Sequence, residues 1–504
     1  MRAGLLLLIA LVACGGDDDG GSGRGDGGPG GDGGGDIDAA LPPPSSCQRD
    51  EPTGAIFHVA TDGADGEGDG SAAAPWASIG HAITQVPDGS TILVAPGTYA
   101  GQIDLDESFA EGVVIRSEVP YQARLRHSGT VVRVFTGQGI TLEGFDVAHD
   151  GPGAGALVIQ IQDLRGEPGG EDKVSRIVIR DNVLHDSHDN DILKINNGAG
   201  EVLVERNVFY NQFGSDEHID INSVTGVVVQ DNVFFNDFEG SGRADPGDTS
   251  SFIVIKDSNG TDDLVLGSED ITVRRNVFLH WQGSSGSNFV LVGEDGTASF
   301  EADGVTVENN LMIGDSPIPM RAAFGVKGSR DVLFRNNTVV GDLPSLAFAL
   351  RVNREGENQP AEEIRFLNNV WSDPEGTMED FSDTPAGDLA SFTIDHNLYW
   401  NGGSALPEDA AETVNPSDDA SAVAGDPLLP ALAGIVLPRW DPEAGAFADG
   451  SATTCQVHAR LVERGTPAGG SPALGSADPA AAPPDDILGR ARPAAPSIGA
   501  VEPQ

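Results

Sequence analysis

The sequence predicts an all-β fold: a single-stranded, right-handed parallel β-helix, a solenoid closed at its N-terminal end by a short capping helix. Three observations predict it. An Asn-centred motif of the kind IVIRDNVLHD recurs eight times, around Asn182, Asn207, Asn232, Asn276, Asn310, Asn337, Asn369 and Asn397. Successive motif asparagines lie 25, 25, 44, 34, 27, 32 and 28 residues apart, which suits coils of about three short strands with insertions confined to some turns. Within each copy Val, Ile and Leu alternate with polar residues, placing one strand face in a narrow core and the other outside.

Each element has a local reason. An asparagine at the bend after a strand tolerates left-handed backbone, and its amide can bond the backbone or the asparagine of the next coil. The Asn column is therefore scaffold, and none of its members is a catalytic candidate. Ser78 to Val86 has the pattern of a short amphipathic helix, suited to covering the open end of a solenoid. The 67 glycines fall partly in a linker and otherwise at turns.

Residues 1–13 read as an export signal, with Arg2 before an apolar run from Leu5 to Leu11 that is too short to span a membrane. The string Leu11-Val12-Ala13-Cys14 resembles the lipobox of bacterial lipoproteins, which implies cleavage before Cys14 and lipidation of its thiol. A Gly/Asp-rich tether is expected over 14–54, the solenoid over 55–430, and a closing segment and tail over 431–504. The protein is thus expected to be exported and lipid-anchored at the bacterial cell envelope, meeting the membrane only through that anchor, as a monomer. Cys47 and Cys455 then remain, either bridged across the two ends of the body or as two free thiols.

With 29 Lys and Arg against 78 Asp and Glu, the formal charge is −49. Such an excess repels nucleic acid and anionic lipid head groups unless cations bridge. No Gly-rich phosphate loop, zinc-ligand spacing or G-x-S-x-G elbow is present, so nucleotide use, zinc catalysis and serine hydrolysis have no support.

Three consecutive coils carry unusual outward residues: HDNDILKINNG, GSDEHIDINSV and SSFIVIKDSNG. Aligning each on its downstream Asn motif sets Lys194 beside Asp220, Asn190 beside Asp216 and Asp191 beside Glu217. Leu193, Ile195, Ile219, Ile221, Ile253 and Ile255 then face inward, and Lys194, Asn196, Asp220, Asn222 and Lys256 face outward. With coils about 4.8 Å apart, Asp191, Asp216, Glu217 and Asp220 converge. Carboxylates that close want a cation, and for an exported protein Ca²⁺ is the ready one.

Lys256 lies one coil beyond Asp220 and two positions along, an expected gap of about 8 Å. That gap would admit a uronate whose carboxylate rests on the ion. A nearby divalent cation would lower the lysine pKa, and neutral Lys256 could then take the C5 proton for β-elimination. Lys194, Asn222 and Lys327 are candidate substrate contacts, with Arg351 beyond them, and His185, His188 and His218 are lesser candidates for leaving-group acid or metal ligand.

The stretch Phe57 to Gly101, with Pro75-Trp76, the helix and Gly97-Thr98-Tyr99, resembles the opening of pectate-lyase-like parallel β-helix proteins. The tail SPALGSAD…DILGRARPAAPSIGAVE resembles their closing segment. The order Asp191 and Lys194, then Asp216-Glu217-His218-Ile219-Asp220, then Lys256 resembles polysaccharide lyase family 9. That resemblance implies Asp191, Asp216, Glu217 and Asp220 as calcium ligands, Lys256 as base, and an acidic polysaccharide such as pectate as substrate. Glu217 and the His218-Ile219 pair depart from the family pattern. Two other functions remain open: a lyase or epimerase acting on alginate or glycosaminoglycan, and a non-catalytic surface protein binding glycan or another cell.

Overall fold

The computed structural model describes residues 47, 49–164, 173–214, 216–343 and 346–503. The signal sequence, Cys14 and the tether up to residue 46 lie outside the described residues. Three parallel sheets run the length of the body, two of 12 strands and one of 10, and the chain visits them in rotation. One turn reads Gly200–Glu205 in the first sheet, Val208–Tyr210 in the second, Ile219–Asn222 in the third, then Thr225–Gln230 back in the first. This is the right-handed parallel β-helix that the motif spacing predicts.

β-Branched residues hold the core in register. Ile177, Val202, Val227, Ile271, Val305, Val332 and Ile364 align from coil to coil and are all buried. Such side chains fit a pleated face at little cost in rotamer freedom. At the first bend the eight motif asparagines form one continuous ladder. Each backbone N–H and each Nδ2 donates to the next coil's Oδ1, as from Asn207 to Asn232 at 2.8 and 3.0 Å. Asp419 ends the ladder, accepting from the Asn397 backbone N–H and Nδ2, both at 2.9 Å.

The left-handed residue is not the ladder asparagine, as the sequence reading had it, but its predecessor: Asp181, Arg206, Asp231, Arg275, Asn309, Asn336, Asn368 and His396, with φ of 51–57°. The turn is made one residue early, which leaves the asparagine amide pointing inward to bond its neighbours.

The capping helix α1 spans Ile79–Gln85, with Ser78 as N-cap accepting from the His81 N–H and Val86 as C-cap. Asp65 braces this entry by accepting the N–H groups of Ala77 and Ser78 at 2.8 and 3.0 Å. Ile79, Ala82 and Ile83 face the core. Segment 431–504 adds no further coil. With the helix α2 (Thr454–Val462) it runs back along the outer face of the second sheet, packing Trp440, Val457, Leu461 and Ile487 on Val183, Val208, Val233 and Val277. Cys47 and Cys455 are joined by a disulfide, the bridged alternative. Among the described residues no helix is long and apolar enough to cross a membrane.

The third sheet carries the outward residues of interest. Its strands β1 (Leu193–Asn196), β2 (Ile219–Asn222), β3 (Ile253–Lys256) and β4 (Asn288–Val292) pair in that order.

Candidate functional site

The register sets Lys194 opposite Asp220 and Asn222 opposite Lys256, as the coil alignment predicts. The six aliphatic residues expected inside are fully buried. The outward residues are not open to solvent, however. Asp191, Glu217 and Asp220 are at most 2% exposed and Lys256 is 9% exposed. The insertion before β3 and the turn after β4 come over this face, as the Ser250 Oγ bond to Glu294 Oε1 at 3.3 Å records.

Carboxylate oxygens of Asp191, Asp216 and Glu217 lie within 4.8 Å of one another. Asp191 Oδ1 accepts the Glu217 backbone N–H at 2.9 Å, which fixes its carboxylate across the two coils. Its Oδ2 is sealed from solvent without a hydrogen-bond partner among the described residues, and so is Asp220 Oδ1. Burial, then Asp220, pushes the Asp191 carboxyl up to about 7. Burial, then Asp191, holds Glu217 well above the carboxylate range, and burial also raises Asp216. These residues fit a hard divalent cation: oxygens bound at about 2.3–2.6 Å around one ion span up to about 5 Å, the spread seen here. Acceptors left without donors are the groups such an ion would satisfy.

Asp220 stands slightly apart from that trio and bridges two lysines. Its Oδ2 lies 2.5 Å from Lys194 Nζ and 3.6 Å from Lys256 Nζ. Lys194 also sits 3.7 Å from Asp191 Oδ2. The open gap of the sequence reading is thus closed at the side-chain tips, because both residues lean toward each other across the inter-strand step.

The sequence reading missed the other half of the lysine's surroundings. Glu294 Oε2 lies 2.7 Å from Lys256 Nζ, and Asp295 Oδ2 lies 3.7 Å away. Both sit just past β4, where buried Glu301 accepts the N–H groups of Glu294, Asp295 and Gly296 at 2.6–2.9 Å and so fixes the turn. The signal was available: carrying the alignment to a fourth coil sets Gly293-Glu294-Asp295 beside Lys256 and the residues after it. Burial alone would lower the Lys256 pKa, but Asp220, Glu217, Glu294 and Asp295 outweigh it and hold the ammonium well above the ordinary lysine value. These carboxylates therefore act on Lys256 in the opposite sense to the lowering expected from sequence.

The remaining candidates are engaged elsewhere. Asn222 Nδ2 donates to Ser258 Oγ, and its Oδ1 accepts the Ser258 N–H at 3.1 Å. Lys327 shares the Lys256 column two coils on and is ion-paired with Glu355. Arg351 faces Asp383 at 3.6 Å. His218 points inward: its ring packs on Phe252 and its Nε2 meets Asn236 Oδ1 at 3.0 Å, with burial lowering its pKa to about 3. His185 is locked between Asp146 and Asp186 at 2.7 and 2.8 Å. The His188 ring is also kept neutral, first by burial and then by Arg243, at a pKa of about 4.

No protein-family model matches the chain, and no curated protein matches its sequence. Among solved structures it is similar to the pectate lyase Pel9A, with a TM-score of 0.53 and 14% identity over 90% of this chain and 97% of that one. It is also similar to XylC, solved with xylose (TM-score 0.48, 12% identity, 88% and 98% covered), and to a rhamnogalacturonan lyase (0.45, 13%, 81% and 99%). The likeness to the pectate lyase is one of fold: this chain has a polysaccharide-lyase-like parallel β-helix, with a largely buried acidic cluster at the turns that enter its third sheet.

Proposed function

We propose that the protein is a polysaccharide lyase that cleaves a uronate-containing polymer such as pectate by calcium-assisted β-elimination. The observation that carries this reading is the juxtaposition of a buried lysine with a largely buried carboxylate cluster in which Asp191 Oδ2 and Asp220 Oδ1 lack donors among the described residues. Asp191, Asp216, Glu217 and Asp220, the last through Oδ1, would hold the ion. An ion held there would supply Lewis-acid chemistry, withdrawing charge from a substrate carboxylate and so acidifying the C5 proton. Lys256, once neutral, would take that proton as the C4–O bond breaks and the C4–C5 double bond forms, the departing oxygen taking its proton from water. Lys194 is the nearest further cation to meet the substrate carboxylate. The test is ultraviolet absorbance of the unsaturated product on pectate, alginate and glycosaminoglycan, with and without calcium. At least one polymer should respond, and chelation should stop it; silence on all three removes the lyase reading.

One observation favours a second reading, a non-catalytic protein that binds glycan or another cell. Lys256 is already paired with Glu294 and Asp295, and a base must shed such partners. Retention of a uronate polymer on the protein without any absorbance change would select it.

Calcium and protons should compete for the cluster. Asp191 and Glu217 have folded-state pKa values raised above the ordinary range, so the folded chain binds more protons than the unfolded one in that window. The ion-free protein should therefore lose stability as pH rises from about 4 through about 7. Added calcium binds the folded state and restores it by mass action. The calcium-induced rise in Tm should be clearly larger at a pH of about 8 than at about 5, and Asp191→Asn should remove that pH-dependent excess. An increment equal at both pH values would place the calcium elsewhere.

We further propose export and lipid anchoring through Cys14 at the cell envelope. Wild type should partition into detergent and Cys14→Ser into the aqueous phase; equal partitioning would dismiss the anchor.

A further inference from the structure

The corner that follows β3 holds a second oxygen cluster, one residue beyond Lys256 and separate from the carboxylates described above. Ser223 Oγ is surrounded by three acceptor oxygens: Asn222 Oδ1 at 2.9 Å, Asp257 Oδ1 at 3.0 Å and Asp263 Oδ2 at 2.7 Å. A hydroxyl carries one hydrogen and can satisfy one of them. Backbone N–H groups serve two of the three: Ser258 N–H donates to Asn222 Oδ1 at 3.1 Å and Gly260 N–H to Asp257 Oδ1 at 2.9 Å.

Independently, Asp257 is fully buried, and its Oδ2 has no hydrogen-bond partner among the described residues. Burial, aided by Asp263, keeps its carboxyl above the ordinary range although the Ser223 hydroxyl opposes this. Two carboxylates, an amide oxygen and a hydroxyl thus meet at this corner, and Asp257 Oδ2 is the acceptor there that no donor reaches among the described residues. A sealed carboxylate oxygen with no donor is costly unless a cation meets it.

We propose that Asn222, Ser223, Asp257 and Asp263 form a second divalent-cation site, of the hard, oxygen-liganded calcium class. The site does not depend on the lyase reading. Asn222 and Ser223 end one coil, whereas Asp257 and Asp263 belong to the segment that leaves β3 before the chain returns at Ser268–Arg274. A cation here ties that segment to the coil beside it and fixes the end of the strand that carries Lys256.

The test is calorimetric titration of the chelator-stripped full chain with calcium alone, alongside hydrogen exchange of peptides covering 257–264. Wild type should bind two equivalents. Asp263→Asn should bind one, losing the calcium-dependent protection of 257–264, and Asp191→Asn should bind one while keeping that protection. Ser223→Ala, which removes a neutral ligand, provides a milder variant if Asp263→Asn unfolds, and should weaken the second site at least about tenfold. Two equivalents retained in Asp263→Asn, or a wild-type total of one that only Asp191→Asn removes, overturns the proposal and leaves the calcium of the lyase reading in place. One equivalent lost only in Asp263→Asn supports the corner site and removes the ion from the lyase reading. No binding at all overturns both sites.

Discussion

Lys256→Ala is expected to lower elimination of any uronate polymer by at least about a hundredfold, the scale of losing a positioned proton-transfer group, while calcium binding persists. The two effects separate because, among the described residues, the ion pair of Lys256 with the cluster is to Asp220 Oδ2, at 3.6 Å, whereas oxygens of Asp191, Asp216 and Glu217 are within 4.8 Å of one another without it. Removing the ammonium leaves the acidic oxygens with one competing cation fewer, so the calcium-induced Tm rise should survive or grow. The same surroundings fix the pH dependence. Asp220, Glu217, Glu294 and Asp295 favour the charged lysine, so the neutral base is scarce at neutral pH and the rate should climb toward alkaline pH. Full activity in Lys256→Ala would place the base elsewhere.

The fold was legible because its determinant is periodic. Eight asparagines at coil spacing announce a ladder even where loop insertions stretch one interval to 44 residues. The same alignment placed Lys194 beside Asp220 and Asn222 beside Lys256, since register in a parallel sheet follows from inward alternation. What the sequence hid was the cover. Whether the insertion before β3 folds over the third sheet or away from it depends on contacts such as Ser250 with Glu294, which no periodicity encodes. His218 shows a different limit. Strand alternation counted back from Ile219 sends it outward, but it precedes β2 at a corner where both residues turn in. Its counterparts in adjacent coils, Ile192, Phe252 and Phe289, are all buried, so reading that column down the coils would have placed it.

Asn232→Ala should cost about 3 kcal/mol or more of unfolding free energy, the most damaging single change expected in the scaffold outside the hydrophobic core. The Asn232 Oδ1 accepts from the Asn207 N–H and Nδ2, and its Nδ2 donates to Val204 O at 2.9 Å and Asn276 Oδ1 at 3.0 Å, all buried. Truncation leaves the Asn207 N–H without its acceptor and Val204 O without this donor, each at about 1–3 kcal/mol, whereas Asn276 Oδ1 keeps the residue-232 backbone N–H at 3.0 Å. Asn232→Asp sharpens the test. It keeps the acceptor that Asn207 needs but loses the amide that Val204 and Asn276 receive, and it buries a negative charge against their oxygens. Asp419 shows where an aspartate is tolerated: it stands at the ladder's end, where it only accepts, from Asn397 and the Tyr399 hydroxyl. Asn232→Asp should therefore be at least as damaging as alanine at neutral pH and partly recover in acid, where the protonated carboxyl can donate again. The measurement is the denaturant midpoint with its slope, since coils that uncouple would broaden the transition. A loss under about 1 kcal/mol for both variants would mean that strand pairing and core packing, not the ladder, hold successive coils together.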